Sequence, residues 1–247
     1  MSGDRSTLRR ARAVRALGCL AAAGLALIFA ACGSGSGATG ATRAPGSTSV
    51  SSSDPATASA TGKCSVVSAP SPRGPQHIPR PSLTLNPAKH YVVTLTTNCG
   101  TIEIQLAVKQ APRTTASFAY LVRRRFYNDL TFHRVAANFV IQGGDPDGDG
   151  SGGPGYTIVE PPPAHLHYTL GTVAMAKTGT DPAGASGSQF FIVTTAEAPL
   201  PAQYALVGKV VGSFAAVDAI AKLPTVPPQD GAPEQPVLIS RATLSSG

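Results

Sequence analysis
The chain has no tryptophan among its 247 residues and only two methionines. Charge is sparse as well, with Asp, Glu, Lys and Arg making up 13% of positions. The apolar run at 16–31 is shorter than the roughly 20 residues a membrane-spanning helix needs. Four cysteines are present, and none has metal-ligand spacing, so no structural zinc site is expected. Basic stripes with interleaved aromatics are missing too. The formal charge of +7 is concentrated in residues 1–31, where five arginines face one aspartate, and the rest of the chain carries an ordinary charge. The one basic cluster, "VRRRFY" at 122–127, reads as a solvated helix end whose cations suit the dipole. Nucleic-acid binding is therefore excluded. No serine sits on a strand-to-helix elbow, which argues against a hydrolase built from Ser188, His133 and Asp145. The stretch "DPDGDG" copies the start of a calcium loop, but Tyr156 stands where the bidentate glutamate belongs. Gly150, Gly152 and Gly155 fit G-x-G-x-x-G, yet they run into "YTIVEPPP", which cannot open the required helix. Neither a metal nor a cofactor is expected.

What is present begins with an export signal. Arg9, Arg10, Arg12 and Arg15 precede the apolar run, which stops at Cys32 in "IFAACGSGSG". This resembles a lipobox, so Cys32 is the expected lipidation site. The reading is a signal peptide at 1–31 and an exported protein held on the outer face of the cell membrane by lipid, with plain secretion as the alternative. Residues 32–62 are Gly, Ser, Thr and Ala with almost no large apolar side chain. Such a tract cannot bury enough surface to offset its ordering entropy, and a disordered tether is expected. A Pro-rich lead-in segment follows at 63–88. The remaining cysteines, Cys64 and Cys99, form an even pair in an oxidising compartment, and a disulfide is expected.

From residue 89 to 247 the periodicity changes. "YVVTLTT" and "TIEIQLAV" alternate about the turn "NCG" and predict a β-hairpin. "APRTTASFAYLVRRRF" predicts a helix, with Pro112 at its start and Phe118, Leu121 and Val122 on one face. Strands are predicted at "TFHRV", "NFVIQ", "GTVAMAK", "QFFIVTT", "YALVGKVV" and "QPVLISRATL". "SFAAVDAIAKL" predicts a second helix with Ser213 as N-cap. Eight short strands and two helices suit a mainly β fold, a closed antiparallel barrel with helices covering its ends.

Within this pattern, "TFHRVAANFVIQGG" and "GSQFFIV" carry one cation, two neutral amides and large apolar rings, with one obvious proton-transfer group, His133. The set raises the question of what chemistry one arginine, neutral amides and an apolar wall can do.

The stretches "FHRVAANFVIQGGDPDGDGSGGPGY", "GTVAMAKTG", "GSQFFIVT" and "ALVGKVVGSFAAVDAI" resemble the cyclophilin-type peptidyl-prolyl cis-trans isomerases, over about residues 89–244. That family's fold is an eight-stranded antiparallel barrel capped by two helices. The resemblance implies an isomerase acting on X–Pro bonds of exported proteins and assisting their folding. It implies Arg134 as donor to the prolyl nitrogen, with Phe139 and Gln142 completing the catalytic set. Val140, Phe191 and Leu200 would line the proline pocket beside Phe139, with His133 and Tyr204 as neighbours. Gln189 and the backbone at Ala176 and Lys177 would hold the residues before proline. A monomer is expected, with proline-containing polypeptides as partners.

The sequence departs from the family's pattern at several places. Pro199 replaces a frequent rim tryptophan, Tyr204 a histidine and Lys177 an asparagine, and "TIVEPPPAHLHYTL" is unlike most members. Weak binding of cyclosporin-type peptides is the expected consequence at Pro199. The competing reading is a proline-peptide binding module or holdase with little turnover. Retention of Arg134 favours the enzyme, because binding alone needs no donor at the prolyl nitrogen.

Overall fold
The computed structural model describes residues 63–247. Cys32, the signal peptide and the tether lie outside the described residues. Strands β1 (Tyr91–Thr97) and β2 (Gly100–Leu106) form the expected hairpin. Helix α1 (Pro112–Arg123) follows, with proline in its first turn. Then come β3 (Leu130–Thr131), β4 (Arg134–Ala136) and β5 (Val140–Gly143). Short strands β6 (Ile158–Val159) and β7 (Tyr168–Thr169) precede β8 (Thr172–Met175). β9 (Ala185–Ser186), β10 (Phe190–Val193), β11 (Glu197–Ala198) and β12 (Leu206–Val211) follow. The chain ends with α2 (Ala215–Ala221), β13 (Thr225–Val226), β14 (Asp230–Pro233) and β15 (Leu238–Ser246).

One antiparallel sheet runs in the order β13-β14-β4-β5-β10-β8-β12-β2-β1-β15-β3. The run "TFHRV" is split at Phe132–His133, and the split closes the sheet. Its first half, β3, pairs with β15, while its second half, β4, pairs with β5. A single stretch thus places β3 at one end of the order and β4 next to the hairpin at the other, and the sheet curls into a barrel. The two-residue strands pair within the loops, β6 with β9 and β7 with β11.

Inside the barrel, Phe118 of α1 meets Tyr127 and Phe190 at ring-centroid distances of 5.0 and 5.5 Å, and Phe132 meets Phe190 at 5.7 Å. All four side chains are fully buried, so truncating one to alanine would cost about 3–5 kcal/mol. Arg123, Arg124 and Arg125 are exposed at the end of α1. Helix α2 starts one position later than expected. Phe214 is its N-cap, and the Ser213 hydroxyl instead accepts from the Ala215 amide at 3.2 Å.

The lead-in segment lies on the domain. Cys64 and Cys99 are disulfide-bonded across 35 positions, tying it to the β1–β2 turn. Further along, the Arg73 amide donates to the Pro146 carbonyl at 3.0 Å and the Ile78 amide to the Pro154 carbonyl at 2.9 Å. The Arg73 guanidinium donates to the carbonyls of Phe126 and Asn128 below the end of α1. Leu85 is buried and joins the main core. Gly155, at φ +86, passes so close to the lead-in that a Cβ there would collide with the Gln76 carbonyl. Both its φ and this approach require glycine.

Candidate functional site
Strand alternation places two apolar clusters on opposite faces of the same strands. On β10, Phe190 and Ile192 face the barrel interior, while Phe191 and Val193 belong to a second cluster on the outer face. β5 repeats the rule, with Ile141 inside and Val140 outside. Successive side chains of a strand point to opposite faces, so Gln142 shares the outer face with Val140, and Arg134 shares it with Ala136. The register sets these residues side by side. Arg134 lies opposite Gln142, Gln142 opposite Phe191, and Phe191 opposite Ala174. An arginine, an amide and a phenylalanine from three strands thus become direct cross-strand neighbours.

They form one wall of a slot of about 140 Å³, lined by Arg134, Phe139, Val140, Gln142, Ala176, Lys177, Phe191, Leu200 and Tyr204. Its floor is rigid and aromatic. Phe191 packs edge-on to Tyr204 at 5.4 Å, and Tyr168 packs edge-on to Tyr204 at 6.0 Å. The Tyr168 hydroxyl donates to the Tyr204 carbonyl at 2.7 Å and accepts from the Tyr204 amide at 2.9 Å. Burial pushes that hydroxyl up to about 12, so it stays protonated and keeps both bonds. A broader groove of about 440 Å³ shares Gln142, Ala176 and Lys177 with the slot and continues along Gly150–Thr157 to Gln189. Lys177 sits where the two meet, its ammonium donating to the carbonyls of Thr178 and Asp181.

The polar wall is a directional chain of hydrogen bonds. The Gln189 amide nitrogen donates to the carbonyls of Gly150 and Gly152 at 2.8 and 2.9 Å. Both its protons are engaged, so its oxygen faces Gln142 and accepts from Nε2 at 3.0 Å. Gln142 Oε1 in turn accepts from Arg134 Nη1 at 3.1 Å. Arg134 Nε and Nη2 donate to the two oxygens of Asp230 at 2.6 and 2.8 Å. A guanidinium carries five N–H bonds, and three are used here. One proton on Nη1, one on Nη2 and one on Gln142 Nε2 remain without a partner among the described residues, and both side chains line the slot.

Of the residues expected at the site, the structure brings nine to the slot wall and Gln189 to the adjoining groove. His133 is the exception. It lies in the break between β3 and β4 and lines neither cavity, and both its ring nitrogens are buried without a hydrogen-bond partner. Pro199 is exposed beside Leu200. The calcium-like loop spends its first carboxylate on itself, since Asp145 accepts from the amides of Asp147 and Gly150 at 3.0 and 2.5 Å. Asp230 and Tyr168 were not anticipated. The first sits in a "QDG" turn that carries no periodic signal, and the second lies in the unusual Pro-rich stretch.

This arrangement offers hydrogen-bond donors beside an apolar slot. Rotation about an X–Pro amide asks for that combination. Its barrier, about 18–20 kcal/mol, comes from amide resonance. The prolyl nitrogen regains its lone pair as the bond twists, and a donor there stabilises the twisted state over either planar one.

Known proteins resemble the chain in the same sense. A family profile described as "Cyclophilin type peptidyl-prolyl cis-trans isomerase/CLD" matches residues 92–244. Peptidyl-prolyl cis-trans isomerase B of Streptomyces anulatus is 37% identical over 171 residues, covering 62% of this chain and 96% of the relative. Its namesake in Bacillus subtilis is 44% identical over 114 residues, covering 46% of this chain and 78% of the relative. A Cryptosporidium parvum cyclophilin type peptidyl-prolyl cis-trans isomerase, solved in the presence of the dipeptide Ala-Pro, superposes with a TM-score of 0.58 at 28% identity. That likeness covers 63% of this chain and 99% of the other.

Proposed function
The chain belongs to the cyclophilin-type peptidyl-prolyl cis-trans isomerases, and from that premise we propose that it isomerises X–Pro bonds of exported polypeptides from a lipid anchor at Cys32. The isomerase activity itself follows from the family. The observation that carries the mechanism is the pair of free N–H groups on Arg134 above the slot formed by Phe139, Phe191 and Leu200. A proline ring seated there presents its nitrogen to the guanidinium. The Gln142 donor meets a flanking carbonyl, and the residues before proline run over Ala176 and Lys177 into the groove ending at Gln189. The slot supplies binding to both planar isomers, and Arg134 supplies the part that grows in the twisted state.

Export is supported by the arginine-led apolar run ending at Cys32 and by the disulfide at Cys64 and Cys99, a bond that persists in oxidising compartments. Cyclosporin-type cyclic peptides would use the same slot weakly, because Pro199 offers the rim neither an aromatic face nor a donor.

The test is Arg134→Ala assayed on a proline tetrapeptide. The expected outcome is a folded protein whose kcat/KM falls on the order of 10²–10³-fold, the size of losing one aimed donor. A folded variant that isomerises at the wild-type rate would reject the role of Arg134. A wild type that binds the peptide without turnover would leave the binding-module reading in its place.

A further inference from the structure
Arg134 and Asp230 lie 96 positions apart in sequence, yet a dedicated piece of chain brings them together. β14 lies on β4, with Asp230 opposite Ala136 and Gly231 opposite Val135. The Ala137 amide donates to the Gln229 carbonyl at 2.7 Å and fixes the same junction. The turn into β14 is demanding. Gln229 has a left-handed φ of 72°, and a Cβ at Gly231 would collide with the Val226 carbonyl. β14 itself buries little, since Asp230 and Ala232 are exposed and Gly231 and Pro233 half-buried. Its core contribution does not explain so constrained a turn, whereas the carboxylate it delivers beside Arg134 does.

We infer that Asp230 is a positioning residue for the isomerisation: its two oxygens hold the Nε–Nη2 edge of Arg134 and, with Gln142 on Nη1, fix the plane in which the free N–H bonds meet the prolyl nitrogen. One contact leaves a planar group free to swing, and contacts on two edges do not. The pair is 34% and 55% exposed, so its contribution to stability is small, as for most solvated ion pairs. A competing effect has the opposite sign, because a nearby carboxylate offsets the cation that the twisted amide requires. That effect is screened at an exposed site. Misplacing an aligned group by an ångström can cost about a hundredfold. Orientation therefore outweighs the lost charge, and removing Asp230 slows the reaction.

The inference rests on Arg134 as the donor, and the test separates the two. Asp230→Ala, Asp230→Glu and Asp230→Asn are assayed on the same tetrapeptide, with kcat and KM resolved and melting temperatures recorded. Asp230→Ala is repeated in the Arg134→Ala background. The expected result is a kcat lowered about ten- to a hundredfold in Asp230→Ala with KM within about twofold. Asp230→Glu, which keeps a carboxylate, should recover part of the loss, and Asp230→Asn less. In the Arg134→Ala background Asp230→Ala should cause no further loss, because its route of action is gone. Wild-type kcat in Asp230→Ala alongside an inactive Arg134→Ala overturns the inference and leaves the donor role standing. An equal loss in both backgrounds, or a loss that tracks the melting temperature, also overturns it, since Asp230 would then act through the fold.

Discussion
His133 is the neighbour of Arg134 in the chain and its opposite in environment. The guanidinium reaches the slot with three of its N–H bonds satisfied, whereas both imidazole nitrogens of His133 are buried without partners. Burial lowers its pKa from the ordinary 6.5, Asp145 pulls the other way, and the neutral ring results. For a base whose folded value is depressed, the unfolded chain binds the proton first. Stability is therefore full above the ordinary value near 6.5 and declines as pH falls below it, levelling off at the lowered folded value. Urea unfolding between pH 7.5 and 5.5 should show that decline in the wild type and a flatter profile in His133→Phe. Identical slopes in the two proteins would mean that the ring is not buried neutral. The same pair of residues shows what a sequence conveys at this scale. Arg134, Gln142 and Phe191 are legible because strand alternation and fixed register place them together. Asp230 is not, because its contact depends on which strand the C-terminal hairpin lies against, and a short polar turn carries no periodicity to reveal that.

At the scale of elements, legibility follows length. β1, β2, β12 and β15 run for six or more residues, and α1 carries Pro112 and an apolar face, so each has a signal of its own. β6, β7, β9, β11 and β13 are two-residue strands held by the loops around them. Residues that short have no period, and tertiary packing decides them. The break between β3 and β4 is of the same kind, since the chain changes partners there from β15 to β5. The lead-in segment, Pro-rich and aperiodic, shows how such a stretch is nevertheless held. Cys64–Cys99 anchors one end, and the amides of Arg73 and Ile78 bond to either side of the loop that carries Gly150 and Gly152. That loop fixes Gln189, so the segment braces the groove from behind. Replacing both cysteines by serine opens a loop of 35 positions. Chain-entropy arguments put the loss at about 3–4 kcal/mol in denaturant unfolding. Turnover should stay within about twofold, because Arg73, Gly74 and Ile78 keep their bonds to residues 146–154. Two free thiols by mass spectrometry of the unreduced wild type would remove the premise. A large loss of kcat at unchanged stability would show that the anchor acts on the site itself.

At the scale of the whole molecule, the family match covers residues 92–244, and the proposed anchor lies in the residues before it. Among the described residues no helix is long and apolar enough to cross a membrane. The candidates for attachment that the sequence offers are the apolar run at 16–31 and a lipid on Cys32. The two make different predictions, because a signal run cleaved ahead of Cys32 leaves the cysteine as the new N-terminus. A single acyl chain binds bilayers only marginally, so a stable anchor needs more than one chain. Cys32→Ser should therefore move the protein from the membrane fraction to the soluble exported fraction while its turnover of a proline tetrapeptide stays unchanged, since no site residue lies before Arg134. Membrane association that survives the substitution would assign anchoring to an uncleaved apolar run. A wild type already free in the medium would assign the protein to plain secretion, and the lipid reading would be abandoned.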